Sequence, residues 1–392
     1  MKELPPVTVG LAGAGYAAWL HCCGYAKVHG CRLDIRAVAD PDRARAGKLA
    51  AEFGIGRILP DFRDLLQDPE IRVIDIVTPP CCHADMIEAA LDAGKHVICE
   101  KPLTGYFGRP GDPEPVGSVS KRRMYESLCT ELDRLAGVIA RSRTRFCYAE
   151  NFVYATPIVK AASILCAKKS KILFMRGEEL LKGSSSAVAG EWSATGGGTM
   201  IRCGTHPLTA LLYLKKREAA ARGETVVPVS VVCDAGQATK CLSEYEHRHI
   251  SARPHDVEDF AQMVITFSDG TKASVLATDT VLGGTRNAVE IFCSDGAMSC
   301  NITPNDMLNA YFLDEEGLDG VSFSEMLPSK TGWNKVFISD EIIRGYQGEL
   351  QDFVEAIVED REPECSFDLA AQAIRVIYAA YLSAEIGERV ML

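Results

Sequence analysis

The stretch Val7-Thr8-Val9-Gly10-Leu11-Ala12-Gly13-Ala14-Gly15-Tyr16-Ala17-Ala18 decides the fold of this 392-residue chain. Its first six residues form an apolar run of strand length, and a G-x-G-x-x-A turn and a helix-like segment follow it. A second apolar run, from Leu33 to Ala39, ends in Asp40. A strand, a glycine turn, a helix, a second strand and an acidic residue in this order are typical of a dinucleotide-binding site.

Each residue of this turn has a physical task in such a site. Gly13 permits the tight turn, and Gly15 has no side chain to keep the backbone away from a pyrophosphate. The helix that begins near Tyr16 and Ala17 offers free N–H groups and a partial positive charge to that anion. Asp40 can accept hydrogen bonds from both ribose hydroxyls and repels a 2′-phosphate, which predicts NAD rather than NADP.

The overall composition excludes several classes of protein. The chain has 42 basic and 53 acidic residues and a net charge of −11, which argues against binding to nucleic acid or to an anionic membrane surface. No apolar run approaches the roughly 20 residues that span a bilayer. The first strand begins too early for a signal peptide, so we expect a cytoplasmic protein whose partner is a small molecule.

The cysteines and histidines do not follow the spacing of a metal site. The chain contains 15 cysteines but no C-x-x-C pattern, which is typical of reduced thiols buried as small apolar residues. The segment Glu246-His247-Arg248-His249, with His255 nearby, matches no standard ligand spacing and is interpreted as a polar loop. We therefore expect no metal.

The first 150 residues alternate between strand-like and helix-like segments, which predicts a parallel sheet covered on both faces. One predicted strand, Val73 to Val77, leads into Thr78-Pro79-Pro80, and another, His96 to Cys99, leads into Glu100-Lys101-Pro102. Residues 104–119 contain four glycines and three prolines and interrupt the alternation. We interpret them either as a lid beside a ligand site or as a surface insertion.

The second half of the chain has a different character and predicts an α+β domain. Ser-Asp-Gly turns separate apolar runs that we interpret as neighbouring antiparallel strands: Val264 to Phe267, Lys272 to Ala277 and Val289 to Phe292. The segments 156–168 and 199–216 are helix-like, and helices return at about 347–360 and 368–386. The predicted fold class is α/β: a Rossmann domain over residues 1–150, then a domain over 151–392 with a large, mostly antiparallel open-faced sheet. The terminal helices can pack back on the Rossmann domain.

Three landmarks together resemble the glucose–fructose oxidoreductase / inositol dehydrogenase family, known as Gfo/Idh/MocA. The first is the glycine turn with Asp40. The second is Thr78-Pro79 with His83, followed by Glu100-Lys101-Pro102. The third is Gly196-Gly197-Gly198-Thr199-Met200-Ile201-Arg202-Cys203-Gly204-Thr205-His206, which is similar to the family's G-G-G-x-x-x-D-x-G-x-H segment.

The resemblance implies a nicotinamide cofactor, a polyhydroxylated substrate and a homo-oligomer, either a dimer or a tetramer, assembled through the open sheet. The substrate would be a sugar, sugar acid, cyclitol or glycoside. The resemblance maps Lys101 and His206 onto the catalytic positions. It also places a set of residues on the cofactor side of the site: Thr78, Pro79, His83, Glu100, Lys101 and Asn151.

Hydride transfer from a secondary alcohol requires a group that removes the hydroxyl proton. His206 suits this role because the ordinary pKa of histidine lies near neutrality, and Lys101 can donate to the alcohol oxygen. The family's aspartate is replaced by Arg202, which would share a helix face with His206. Arg202 then keeps His206 neutral, anchors an anionic substrate, or forms an internal ion pair. Trp192 either contacts substrate or is a buried aromatic residue.

These observations predict an NAD-dependent oxidoreductase that oxidises a secondary hydroxyl of a sugar, cyclitol or glycoside, with glycoside 3-oxidation as one form of the reaction. The first alternative is a redox-neutral, NAD-dependent enzyme that cleaves glycosides by transient oxidation and elimination. The second alternative is a sensor that keeps the fold without turnover, although Lys101 and His206 argue against it.

Overall fold

The computed structural model of the chain describes residues 6–184, 186, 188–303, 308–312, 315, 331–336 and 344–392. Its N-terminal half is built around a six-stranded parallel sheet with the order β3-β2-β1-β4-β5-β6. The strands are β1 (Val7–Ala12), β2 (Leu33–Ala39), β3 (Arg57–Leu59), β4 (Val73–Ile76), β5 (His96–Glu100) and β6 (Phe146–Ala149). Strand order reverses between β1 and β4, so a crevice opens at their carboxyl ends, where ligands bind in such sheets.

Helices cover both faces of this sheet and explain why its central strands are largely buried. Every residue of β4 and β6 is buried, as expected for parallel strands between two layers of helices. The helices of this half are α1 (Tyr16–Tyr25), α2 (Arg43–Phe53), α3 (Phe62–Gln67), α4 (His83–Asp92) and α5 (Lys121–Arg141). This half therefore has the Rossmann architecture that the sequence predicts.

The C-terminal half is built around a seven-stranded, mostly antiparallel sheet with the order β12-β11-β7-β10-β9-β8-β15. The strands are β7 (Ile172–Leu180), β8 (Pro228–Gly236), β9 (Phe260–Phe267), β10 (Lys272–Thr278), β11 (Arg286–Cys293), β12 (Gly296–Asn301) and β15 (Val390–Met391). Strands β7 and β10 pair in parallel. A separate antiparallel pair consists of β13 (Leu308–Phe312) and β14 (Gly332–Val336).

One face of the second sheet is covered and the other is open. The covering helices are α6 (Thr156–Lys168) and α9 (Thr205–Ala221). Two short helices, α7 (Trp192–Thr195) and α8 (Thr199–Arg202), lie between them in the chain. Burial alternates along β9, where Ala261, Met263 and Ile265 are buried and Val264 is exposed. This alternation is the signature of a sheet with one packed face, and it confirms the predicted open-faced sheet.

The last two helices link the halves of the molecule. Helix α10 (Tyr346–Glu359) packs on α1, and helix α11 (Phe367–Ile386) packs on α5, α9 and β8. A domain division at residue 150 remains a prediction.

Among the described residues, no helix combines the length and apolar character that a membrane crossing demands.

Two details differ from the sequence predictions. Strand β11 pairs with β7 and β12 rather than with β10, because β7 from much earlier in the chain inserts between them. The helix predicted over 199–216 is interrupted between α8 and α9. The N–H groups of Cys203 and Gly204 both donate to the carbonyl oxygen of Thr199, at 2.8 and 3.0 Å, which widens the turn and ends α8.

Candidate active site

The glycine turn after β1 fits a bound pyrophosphate. Gly13 has φ +109°, and a Cβ atom there would lie 2.7 Å from the carbonyl oxygen of Val77, so only glycine fits. A Cβ at Gly15 would meet no atom within 4 Å, because this residue faces open space at the start of α1. Tyr16 is exposed and Ala17 is partly buried in the first turn of that helix. The turn therefore leaves room for an anion against helical N–H groups.

Asp40 lies at the end of β2, where a ribose would be bound. Its Oδ2 accepts a hydrogen bond from the Ala14 N–H at 2.8 Å, which ties it to the glycine turn. Arg45, which sequence reasoning did not select, donates to Oδ1 at 2.8 Å. Burial raises the pKa of Asp40, but the hydrogen bonds from Arg45, Asp42 and Ala14 outweigh it and hold the pKa below its ordinary value. These contacts therefore favour the charged form of the carboxylate.

The second wall of the crevice follows β4, where Thr78 is half-buried and Pro79 is exposed. His83 is fully buried, and its two ring nitrogens each lie 2.9 Å from a carbonyl oxygen, those of Pro102 and Thr78. Burial lowers the pKa of His83, so the neutral ring donates to one of these carbonyls. This geometry favours a role in holding two turns together over the predicted direct contact with cofactor.

The side chain of Glu100 holds the backbone of Lys101 in place. Its Oε2 accepts the backbone N–H of Lys101 at 2.8 Å, and its Oε1 lies 3.3 Å from Nε2 of the buried His21. Nδ1 of His21 lies 2.8 Å from Asp75. Burial opposes the charge on His21, but the carboxylates of Asp75 and Glu100 outweigh it and raise its pKa well above the ordinary value. A buried ionic cluster therefore fixes the strand end that carries Lys101.

The two predicted catalytic residues come from opposite halves of the molecule, and each contacts a residue of the other half. Lys101 Nζ donates to the backbone carbonyl of Arg202 at 2.8 Å. His206 Nδ1 lies 2.6 Å from Oε1 of Glu150, and its ring stacks on Phe152 with the ring centroids 4.8 Å apart. Because Nδ1 faces the carboxylate, Nε2 is the nitrogen left for a substrate hydroxyl.

Glu150 is a candidate functional residue that sequence reasoning did not select. It follows β6 directly and is fully buried. It stands beside His206 as the carboxylate partner that the family pattern places at position 202. A carboxylate at the carboxyl end of a parallel strand was the available signal, because ligand sites form at that edge.

Arg202 does not share a helical face with His206, because α8 ends at Arg202. Its guanidinium instead forms an ion pair with Asp279, which follows β10. The internal ion pair considered from the sequence is therefore present. The pair lines a cavity of about 280 Å³ that also includes Arg253, Glu258 and Asp259.

Two further predicted residues are buried. Trp192 is 2% exposed and its indole N–H donates to the carbonyl oxygen of Tyr106 at 3.0 Å, which favours the buried aromatic alternative over contact with substrate. Asn151 is also buried, and its side-chain amide donates to the carbonyl oxygen of Arg344 at 3.0 Å. Its place beside the nicotinamide remains a prediction.

The glycine- and proline-rich segment 104–119 is held at both ends. The Tyr106 N–H donates to the Tyr378 hydroxyl at 2.5 Å, and the Gly117 N–H donates to Oδ2 of Asp256 at 2.8 Å. These contacts attach the segment to the second half of the molecule. Closure of the segment over a ligand remains a prediction.

The structure gathers three polar residues that sequence reasoning did not combine. Ligand atoms of Glu191, His255 and Asp256 lie within 4.8 Å of one another. Both carboxylate oxygens of Asp256 already accept backbone N–H groups, those of Trp192 and Gly117. We interpret the group as a set of contacts that holds neighbouring loops together.

None of the fifteen cysteines, all within the described residues, forms a disulfide.

The fold and the crevice define an oxidoreductase that binds a dinucleotide. Residues 7–108 match the family model described as "Oxidoreductase family, NAD-binding Rossmann fold", and residues 175–299 match the GFO/IDH/MocA C-terminal domain. The two models together match more than half of the chain, which belongs to the Gfo/Idh/MocA family. Its cofactor is NAD, and it is an NAD(P)-dependent dehydrogenase that acts on CH–OH groups.

Individual relatives share limited sequence identity with this chain or match only a part of it. Levoglucosan dehydrogenase of Pseudarthrobacter phenanthrenivorans is 27% identical over 328 residues, which are 79% of this chain and 77% of that protein. The scyllo-inositol 2-dehydrogenase (NAD(+)) of Bacillus subtilis is 45% identical over 67 residues, 17% of this chain and 20% of that protein. The structure of GenD2 from gentamicin A biosynthesis in complex with NAD has a TM-score of 0.77 at 21% identity and covers 100% of this chain and 98% of its own. That likeness shows a shared fold.

Proposed function

We propose that the protein oxidises a secondary hydroxyl of a neutral sugar, cyclitol or glycoside, with Lys101 and His206 as the catalytic residues. The observation that carries this proposal is the pair formed by His206 and Glu150. The carboxylate occupies Nδ1 at 2.6 Å and leaves Nε2 as the acceptor for a hydroxyl proton. The relatives named above act on levoglucosan and scyllo-inositol, both neutral polyols, which supports this substrate class.

The residues around the crevice fit NAD. Gly13 and Gly15 would bring the backbone close to the pyrophosphate, with Tyr16 and Ala17 at the helix start, and Asp40 would bind the adenosine ribose. When bound, NAD supplies the acceptor for the hydride. Dissociation constants for NAD and NADP test the preference, and tighter binding of NADP would contradict the role given to Asp40.

His206 takes the hydroxyl proton at Nε2. The imidazolium that forms is stabilised by Glu150, which also fixes the ring and its tautomer through Nδ1. Stacking of Phe152 against the ring restricts its rotation further. A carboxylate thus orients the general base. The carboxylate, Glu150, follows the last strand of the first sheet, and the base, His206, belongs to the second half of the chain.

Lys101 stabilises the oxygen that loses its proton. One of its three N–H donors is held by the carbonyl oxygen of Arg202 at 2.8 Å, and the remaining donors can bind the substrate oxygen. An ammonium group aimed at a developing alkoxide lowers the energy of the transition state. Glu100 fixes the backbone of Lys101, so the amine is positioned before substrate arrives.

The experiment follows absorbance at 340 nm while the protein is incubated with NAD and a panel of neutral sugars, cyclitols and glycosides. Net reduction of NAD that is lost in His206→Ala, with unchanged NAD affinity, is the expected result. Aglycone release without net reduction would instead support the glycoside-cleaving alternative. Ligand binding with neither outcome would support a sensor. We further propose that the protein acts in the cytoplasm as a homo-oligomer.

A further inference from the structure

We propose that Arg202 and Asp279 form a subsite that binds two adjacent hydroxyl groups of a neutral ring, beside the hydroxyl that is oxidised, and that disfavours anionic sugars. The inference rests on the proposed function because it concerns the same substrate. The arginine that replaces the family's aspartate at position 202 thereby has a role in substrate selection rather than in proton transfer.

Arg202 contacts the catalytic centre through its backbone. The carbonyl oxygen of Arg202 accepts a hydrogen bond from Lys101 Nζ at 2.8 Å, so the side chain of Arg202 begins at the residue that holds the catalytic amine. That side chain and Asp279 line a cavity of about 280 Å³. Small-ligand pockets begin at about 300 Å³, so a cavity of this size suits a ligand of one ring.

The other acidic groups of the cavity are occupied by the protein itself. Oε2 of Glu258 accepts the Gly198 N–H at 2.9 Å, and Oε1 accepts the Met200 N–H at 2.8 Å. Asp259 accepts the backbone N–H groups of Ala238 and Thr239, at 2.6 and 3.1 Å. Glu258 and Asp259 therefore build the wall and hold the glycine run, and they are not available to a ligand.

Arg202 and Asp279 are different because each has a buried atom without a partner. Oδ1 of Asp279 and Nε of Arg202 make no hydrogen bond within the part of the chain that the structure describes. The side chain of Asp279 is only 4% exposed. Buried polar atoms without partners are rare in folded proteins, and a bound ligand is one way to satisfy them. Arg202 and Asp279 both line the same small cavity.

An adjacent donor and acceptor match the chemistry of neighbouring hydroxyl groups. The guanidinium can donate to the oxygen of one hydroxyl while the carboxylate accepts the O–H of the next. The charges of the cavity argue against an anionic ligand. The lining contains two arginines, Arg202 and Arg253, and three acidic residues, Asp279, Glu258 and Asp259, so acidic groups outnumber basic ones where a carboxylate or phosphate would have to bind. This argues against the anionic-substrate role considered for Arg202 from the sequence.

The test compares Arg202→Met and Asp279→Asn with the wild type. The probes are levoglucosan, myo-inositol, scyllo-inositol and methyl β-D-glucoside, together with monodeoxy analogues of the best substrate. Each variant should lower kcat/KM for the intact substrate on the order of 10- to 100-fold, the scale of one lost hydrogen bond to a charged group. For the analogue that lacks the recognised hydroxyl, the variants and the wild type should differ by less than about 3-fold.

A charge readout separates recognition from structural damage. Asp279→Asn keeps the shape of the side chain but leaves the guanidinium uncompensated, so D-glucuronate should gain at least about 10-fold relative to the neutral sugar. Arg202→Lys keeps the positive charge without the planar fork and should recover only part of the activity. Arg217→Met is the matched control, because it removes an arginine from an ion pair with Glu364 elsewhere. It should leave substrate discrimination unchanged.

Unchanged discrimination between intact and deoxy substrates in both variants would overturn the proposal, provided that the variants bind NADH and unfold at wild-type temperature. If the wild type reduces no NAD with any compound, the proposed function fails by itself. Ligand binding to the NADH complex, measured by thermal shift, then tests the subsite. Neutral polyols that stabilise the wild type but not Arg202→Met would uphold it, and the absence of such binding would overturn it.

Discussion

The glycine turn and the proposed catalytic edge are built in different ways. The turn is one contiguous segment, Gly13 to Ala17, and it acts through backbone N–H groups and the absence of side chains. The catalytic edge brings together side chains from several separate elements: Lys101, Glu150, His206, Arg202 and Asp279. Substitutions in the turn should therefore change cofactor affinity, whereas substitutions at the edge should change turnover. Three predictions test this division, and a fourth tests the buried ionic cluster behind Lys101.

The largest effects are expected at the two catalytic residues. Lys101→Ala and His206→Ala should each reduce kcat by at least about 100-fold, because an alkoxide-stabilising donor or a general base is lost. Steady-state kinetics measures kcat, and NAD titration should show little change in affinity for His206→Ala. His255→Ala, which removes an exposed histidine, is the control. Near-normal turnover in either catalytic variant would show that the catalytic centre has been misassigned.

The carboxylate partner of His206 should have the next largest effect. Glu150→Gln preserves the size of the side chain but removes the charge that stabilises the imidazolium, so kcat should fall by about 10- to 100-fold with little change in NAD affinity. Glu364→Gln, at an exposed ion pair, serves as the control. A wild-type kcat in Glu150→Gln would mean that Glu150 only packs against the ring.

A side chain introduced at Gly15 should change cofactor affinity rather than turnover. Gly15→Val fills the open space in front of α1, and it should weaken NAD binding by about 10-fold or more while the protein stays folded. Gly47→Ala, also at a position where a Cβ meets no atom within 4 Å, should leave NAD affinity unchanged. Equal NAD affinity in Gly15→Val and the wild type would place the pyrophosphate elsewhere.

The smallest expected effect concerns the pH dependence of stability. The raised pKa of His21 means that the folded protein holds a proton that the unfolded chain releases above about pH 6.5. The stabilisation is thus complete below that pH and is lost as the pH rises toward the folded-state pKa. Urea unfolding of the wild type and His21→Gln between pH 6 and 9 should show the difference in unfolding free energy shrinking. A constant difference would contradict a charged His21.

The sequence by itself predicted the Rossmann half, the glycine turn and the position of Asp40. These features follow from local patterns: hydrophobic periodicity, turn glycines and residues at the ends of strands all act between near neighbours in the chain. The family resemblance, rather than a local pattern, selected Lys101 and His206. The sequence also indicated a second, mostly antiparallel sheet, although it misplaced β11 beside β10.

The tertiary structure alone decided the partners of His206 and Arg202. Glu150 reaches His206, and Asp279 reaches Arg202, across 56 and 77 positions of sequence. Strand β7 inserts between β10 and β11 from nearly a hundred residues earlier, so turns between neighbouring strands could not reveal it. Such pairings depend on how the two sheets and their helices pack together. No local pattern encodes that packing, because burial and charge compensation are satisfied only when the whole chain has folded.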